Sequence, residues 1–254
     1  MGLAILLIFC SLARIDAAFE NNWTSVRTQS LGDSVSSLFQ MSKKGPRALL
    51  VERMSILPVD LERTVIAGEQ HNDKYHLGFY WIRFGDNEIT PNLAYIEDTK
   101  AIRSTFFLSE KISFGIQFKR YLLESIKLGS GIGLDLGIQV SLSPKFKLGF
   151  EFNELINQVK YETGKIERAP AQFNVLLENR LRKDTELFLS LNNEQEVNFG
   201  CEFALIPELD LRAGLANGRW TGGICIYQNN WIFEYGLFNN RLGKQQILSV
   251  SKSF

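Results

Sequence analysis

The stretch Gly131-Ile132-Gly133-Leu134-Asp135-Leu136-Gly137-Ile138-Gln139-Val140-Ser141-Leu142, followed by Ser143-Pro144-Lys145 and then Phe146-Lys147-Leu148-Gly149-Phe150-Glu151-Phe152-Asn153, decides the fold. Every second residue is large and apolar, and every residue between is glycine, polar or charged. Successive strand side chains point to opposite faces, so each run reads as a strand with one apolar face; an amphipathic helix would need apolar spacings of three and four. The short Ser143–Lys145 connection makes the two a hairpin. With Leu142 opposite Phe146, the register sets Val140 against Leu148, Ile138 against Phe150 and Leu136 against Phe152 on one face. Gly137 against Glu151 and Asp135 against Asn153 fall on the other.

The same texture runs through most of the chain. Strands are expected at Arg63–Gln70, Tyr75–Phe84, Leu93–Ile96, Ala101–Glu110, Ile112–Phe118, Ala171–Leu181, Thr185–Asn192, Val197–Ile206, Leu209–Ala216, Trp220–Tyr227, Trp231–Asn239 and Gln245–Phe254. Turn-forming pairs such as Lys183-Asp184, Asn192-Asn193, Pro207-Glu208, Asn217-Gly218 and Asn229-Asn230 separate them. The reading gives about 14 strands of roughly ten residues, the pattern of a transmembrane barrel. A sheet in lipid must close, because open edges would leave backbone groups unsatisfied. The expected fold is therefore all-β: a transmembrane antiparallel β-barrel over residues 61–254, with residues 18–60, which do not alternate, forming a non-barrel plug or periplasmic segment.

Alternation alone does not distinguish this from a soluble barrel or sandwich with its apolar face inward. Two features favour the membrane. The second face mixes Gly, Ser, Asn and Gln with charges of both signs, and aromatics (Trp81, Tyr121, Trp220, Tyr227, Trp231) cluster towards strand ends as an interfacial girdle would. On this reading Lys119, Asp135, Lys147, Glu151, Glu202, Asp210, Arg212 and Glu234 face the lumen, where charges of mixed sign are expected to neutralise one another rather than form a single-sign selectivity ring.

Leu3–Ala13 is an apolar run of signal-peptide length, with small residues at Ala17 and Ala18, so residues 1–17 are expected to be a cleaved leader. The alternative is a buried N-terminal helix or strand. A lipid-attachment role for Cys10 is disfavoured by Phe9 before it, where a small residue is wanted. Lys+Arg and Asp+Glu number 28 each, so nothing attracts a polyanion and nucleic-acid binding is excluded on charge. Beyond Cys10 there are only Cys201 and Cys225. They lie two strands apart and on opposite faces, which predicts free thiols.

From about Phe106 to Phe254, roughly 60% of the chain, the order of segments resembles the PorV/PorQ family, relatives of the FadL-type barrels. The resemblance is carried by Gly115-Ile116-Gln117-Phe118-Lys119-Arg120-Tyr121-Leu122, Gly133-Leu134-Asp135-Leu136-Gly137, Leu148-Gly149-Phe150-Glu151-Phe152-Asn153-Glu154-Leu155, Leu211-Arg212-Ala213-Gly214, and Leu242-Gly243 with Gln246-Ile247-Leu248-Ser249 and Phe254. Glu154-Leu155 depart from the family's third segment. The family's N-terminal Asn-Pro-Ala motif is absent; Ala48-Leu49-Leu50-Val51-Glu52-Arg53 stands in its region. The resemblance implies a bacterial outer-membrane barrel with a type IX-like docking or secretion role, with secreted cargo or secretion components as partners. FadL-like passage of hydrophobic small molecules is the alternative. Phe254, terminal on an alternating strand, is similar to the signal read by the barrel assembly machinery, and outer-membrane lipid is the remaining expected partner.

Chemistry is harder to find. His71 and His76, with Asp73 between, sit at an expected hairpin turn; a metal needs three or four converging ligands, and a solvated loop is the favoured reading. Gly129-Ser130-Gly131-Ile132-Gly133 opens a strand rather than a helix, so it reads as a place where neighbours need room and not as a phosphate loop. No cofactor is expected, and no spacing supports a catalytic constellation.

Overall fold

The computed structural model describes residues 25–31, 47–57, 61–90, 93–125, 128–240 and 243–254. The expected leader lies outside them. A short helix, α1 (Val26–Ser30), precedes β1 (Arg47–Leu57), β2 (Leu61–His71), β3 (Tyr75–Thr90), β4 (Leu93–Phe107), β5 (Ile112–Glu124), β6 (Gly129–Ser143), β7 (Phe146–Tyr161), β8 (Ile166–Arg168), β9 (Gln172–Arg180), β10 (Thr185–Asn192), β11 (Val197–Ile206), β12 (Leu209–Ala216), β13 (Arg219–Gln228), β14 (Trp231–Asn240) and β15 (Gly243–Ser253). Each ring strand pairs antiparallel with its neighbour in sequence, β7 pairs with β9, and β15 returns to β1. The result is a closed ring of 14 strands with β8 outside it. Closure removes every long edge. The end carrying Arg47 and Phe254 is the near end below; the other is the far end.

The deciding hairpin has the expected register from Leu136↔Phe152 through Val140↔Leu148. It departs at both ends. At the turn, Ser143 rather than Leu142 meets Phe146. At the other end β7 bulges: Leu136 faces Phe152 but Leu134 faces Ile156, so Asn153–Leu155 stand opposite Asp135 alone. Glu154 takes a left-handed φ of 58° there, and its N–H donates to Asp135 Oδ1 at 2.7 Å. The β7–β9 ladder stops at Asn153↔Gln172, beside the bulge. Beyond it β7 is edged only by β8. The wall therefore steps down from long strands (β3–β7) to short ones (β9–β14).

Burial decides which face looks outward. Phe118 is 57% exposed while its neighbour Lys119 is 5% exposed, and Ile132 is 61% exposed while Asp135 is 2% exposed. Leu134, Leu136, Ile138, Phe150 and Phe152 all share the outer face with Phe118 and Ile132. The soluble-sandwich arrangement, with these residues at the centre, is not what the chain adopts.

Several expectations need correction. The ring begins at Arg47, not at residue 61. β1 carries no clean alternation because both its faces are mixed: Leu50 and Met54 share the inner face with Glu52, and Arg53 shares the outer face with Leu49 and Val51. Its charges are matched by β2, Glu52 with Arg63 inside at 2.9 Å and Arg53 with Glu62 outside at 2.5 Å. The two strands read at Leu93–Ile96 and Ala101–Glu110 are one, β4. The polar run Glu97-Asp98-Thr99-Lys100 hid the continuity. The ring still has 14 strands, because β1 adds one where the joining of Leu93–Ile96 with Ala101–Glu110 removes one. Of the aromatics read as a girdle, Tyr121 and Tyr227 instead point inward, 1% and 7% exposed.

Candidate functional site: the lumen

In the near and middle parts of the barrel, inner-face residues form paired charges. Lys119 Nζ lies 2.8 Å from Asp135, which also accepts a hydrogen bond from Gln117 Nε2 at 2.9 Å. Arg212 bridges Glu202 (2.8 Å) and Glu234 (2.6 Å). Arg103 reaches Glu69 at 2.9 Å with its guanidinium over the Tyr80 ring. Tyr227 donates to Asp210 at 2.6 Å. Lys147, half-exposed nearer the mouth, meets Glu178 at 2.8 Å. Glu151 is buried across from Gly137. All eight charges read from sequence thus sit on the inner face, together with two pairs the sequence did not reveal, Glu52–Arg63 and Glu69–Arg103, and the partners Glu178 and Arg27. A buried charge without a partner would be costly, which is why Lys119, Arg212 and Arg103 each meet a carboxylate.

α1 lies inside the ring against β12–β15. Ser25 caps it, its Oγ accepting the Thr28 N–H at 3.2 Å. Arg27 ties it to the wall through Glu202 (2.9 Å) and Glu186 (3.5 Å), and its guanidinium rests over Phe188. Thr221 Oγ1 donates to the Ser30 carbonyl at 3.0 Å. The helix comes this close because Gly223 and Gly236 face it: a Cβ on Gly223 would stand 2.2 Å from Ser30 Oγ. Of the segment read as a plug, the described part before β1 is thus in the lumen.

Towards the far end the wall inverts. The outer row Trp81–Lys100–Arg120–Ile132–Gln158 is already half polar, and the next, Arg83–Asp98–Leu122–Ser130–Lys160, is mostly polar. Trp81, its Nε1 donating to Asp98 at 3.1 Å, marks the boundary, an interfacial position. Inside, the trend runs the other way. Met54, Phe84, Phe238 and Ile247 pack together with Leu61 and Tyr95, and Tyr95 continues into a second group, Tyr121, Leu123 and Val159 with Tyr161. Tyr95 and Tyr161 turn their hydroxyls to Glu97 and Glu167. The sequence did carry a signal of this stretch, in Phe79-Tyr80-Trp81-Ile82 and Tyr121-Leu122-Leu123, where neighbouring residues on both faces are large and apolar.

The other candidates resolve simply. His71 and His76 are cross-strand partners with ring centroids 6.3 Å apart, and His76 is fully buried 3.7 Å from Glu69. Asp73 lies exposed in the turn, and no metal-binding group of three such residues occurs among the described residues. Gly129–Gly133 is strand β6, and an added Cβ at Gly131 would collide with the Gln158 carbonyl. Cys201 and Cys225 are free. Phe254 is 57% exposed, and its N–H donates to the Arg47 carbonyl at 3.0 Å.

The architecture has relatives of known structure. A toluene transporter of Pseudomonas putida, TodX, superposes with a TM-score of 0.65 at 10% identity, covering 91% of this chain and 98% of that one. The fold is that of the FadL-like outer-membrane barrels. CymD, a monoaromatic hydrocarbon channel, superposes with a TM-score of 0.59 at 14% identity over 94% of this chain and 95% of its own. A FadL homologue of Pseudomonas aeruginosa gives 0.55 at 10% identity over 92% of this chain and 99% of its own. No family model and no curated protein sequence matches the chain. The PorV/PorQ resemblance is not shown by these comparisons.

Proposed function

We propose that the chain is a FadL-like channel passing small, uncharged hydrophobic molecules across the outer membrane, and that it is not an enzyme. The observation that carries this is the inversion of the far wall, where polar residues face out while Met54, Phe84, Tyr95, Tyr121, Leu123, Val159, Phe238 and Ile247 line the inside. Lipid does not demand apolar residues on the inner face, and a water-filled pore is hindered by them. An apolar solute leaving water for the barrel gains from them, by about 25 cal/mol per Å² of surface covered.

The bordering charges argue for neutrality. Glu97 and Glu154 are carboxylates, and Arg63 and Lys119 are each already held by one, Glu52 and Asp135. A carboxylate-headed solute would meet repulsion there rather than a waiting cation. The channels of similar fold named above, a toluene transporter and a monoaromatic hydrocarbon channel, support the same reading. The secretion-associated reading falls behind it, because a docking barrel has no use for an apolar stretch inside its lumen.

The test is uptake of a labelled monoaromatic hydrocarbon by cells that express this chain and lack other hydrophobic channels. Phe84→Glu and Ile247→Glu should each cut uptake about tenfold, as one misplaced charge costs at least about 1.4 kcal/mol on an apolar path. Uptake unchanged by both, in variants that still fold, would remove the proposal.

A further inference from the structure

On the outer wall near the near end there is a groove of about 640 Å³, within the usual size of a small-molecule site. One cross-strand row forms it: Leu49↔Gly68↔Phe79↔Ile102, with Leu77 and Phe254 closing its lower side. Its depth comes from Gly68. Several other strand glycines have a close neighbour where a Cβ would stand: Gly131 the Gln158 carbonyl, Gly133 and Gly78 the Tyr121 and Tyr80 hydroxyls, Gly223 the Ser30 Oγ. Gly68 has no such neighbour. A Cβ there would make ordinary contact with Leu49 Cδ2 at 3.5 Å, and φ is not positive. Packing does not explain the glycine; the vacant space beside Phe79 does.

The groove's rim is cationic. Arg47 stands at its near end, exposed. Lys252 lies directly across from Leu49, its ammonium 5.2 Å from the Phe254 ring and 5.0 Å from the Trp231 ring. Neither is ion-paired among the described residues, whereas the one carboxylate touching the groove, Glu69, points inward and is engaged by Arg103. An apolar trough with two cations and two aromatic rings at one end is complementary to one chemistry: a hydrocarbon chain joined to an anionic head held at the water boundary.

We infer that this groove is a binding site for a single glycerophospholipid, one acyl chain lying over Gly68 and the phosphate between Arg47 and Lys252. The inference rests on the membrane-barrel reading but not on what the lumen carries. The lipid would lie against the seam where β1 meets β15.

Native mass spectrometry of the full chain in non-ionic detergent, titrated with dioleoyl phosphatidylglycerol, tests it. The wild type should retain one lipid through detergent removal, and more weakly so with dioleoyl phosphatidylcholine. Gly68→Leu, which fills the trough, should abolish that retention. Arg47→Gln with Lys252→Gln should weaken it about thirtyfold, the combined worth of two cations at an anionic lipid surface. Equal retention by the wild type and Gly68→Leu would overturn the inference, as would equal retention of the two lipids, or a dimer that Gly68→Leu disrupts in place of a lipid adduct. Should Gly68→Leu not fold, judged by loss of a compact unheated band on a gel, the double cation variant decides alone. Hydrocarbon uptake should be unchanged in the cation variant. Lost uptake in Phe84→Glu with intact lipid retention separates the lumen from the groove, and a chain that stays soluble without detergent removes the barrel reading itself.

Discussion

A methyl group on Gly131 would stand 2.3 Å from the carbonyl oxygen of Gln158, a backbone atom that cannot move without breaking the β6–β7 ladder, whereas on Gly68 it would meet only the tip of a leucine at 3.5 Å. Gly131→Ala is therefore expected to destabilise the barrel by about 1–3 kcal/mol, the usual range for overpacking, and Gly68→Ala by almost nothing. Urea unfolding in detergent, followed by the compact-to-extended gel shift, should rank them so; equal midpoints would contradict the geometry. Arg212 offers the opposite case. Replacing it with Met takes a cation from Glu234, which is mostly shielded from solvent, and one from Glu202, which keeps Arg27, and should cost about 3 kcal/mol. Adding Glu234→Gln should recover part of the loss in the same assay. Some inward charges were legible from parity, since Asp135 alternates with Leu134 and Leu136 and Lys147 with Phe146 and Leu148; Glu52, Arg63, Glu69 and Arg103, on less regular strands, were not. Nor were the partners, because whether Arg212 reaches Glu202 or Glu234 depends on strand register across the ring, which no local pattern encodes.

Strands that alternate cleanly, such as β6 and the first half of β7, could be read almost to the residue, and their register followed from pairing like faces. β1 could not. Its Glu52 and Arg53 make sense only beside Arg63 and Glu62 of β2, so its two faces look alike until the neighbour is in place. The β7 bulge was equally hidden: Glu154 looks like an ordinary polar residue until Asp135 is seen to accept its N–H. α1 is five residues long and owes its position to partners on the wall, since a helix this short is not stable by itself. Arg27→Ala should loosen it. Single-channel conductance for a small ion in a planar bilayer should then rise above the wild-type level, and an unchanged conductance would mean that the Thr221–Ser30 contact suffices.

At the scale of the whole molecule, an all-β barrel could be read from period and turn spacing, and its outward apolar face from the Gly-, amide- and charge-bearing second face. The reversal at the far end left only a local trace, in Phe79-Tyr80-Trp81-Ile82 and Tyr121-Leu122-Leu123, because its position depends on β3–β7 outrunning β9–β14. The barrel should fractionate with the outer membrane and run faster on a gel unheated than boiled; a chain that is soluble after lysis would refute this. One consequence concerns how such a ring comes into being. Every other ladder in it joins strands close in sequence, but the β1–β15 ladder joins the first described strand to the last. The loop to be closed there is the longest available, so its entropy is lost last and slowest. Until that moment two unsatisfied ribbons confront each other, and a foreign strand with the Gly243–Ser253 sequence could occupy the vacant berth on β1. A synthetic peptide of that sequence, present during refolding, should trap an unclosed intermediate, much as a zip jams when a second slider takes the first one's teeth.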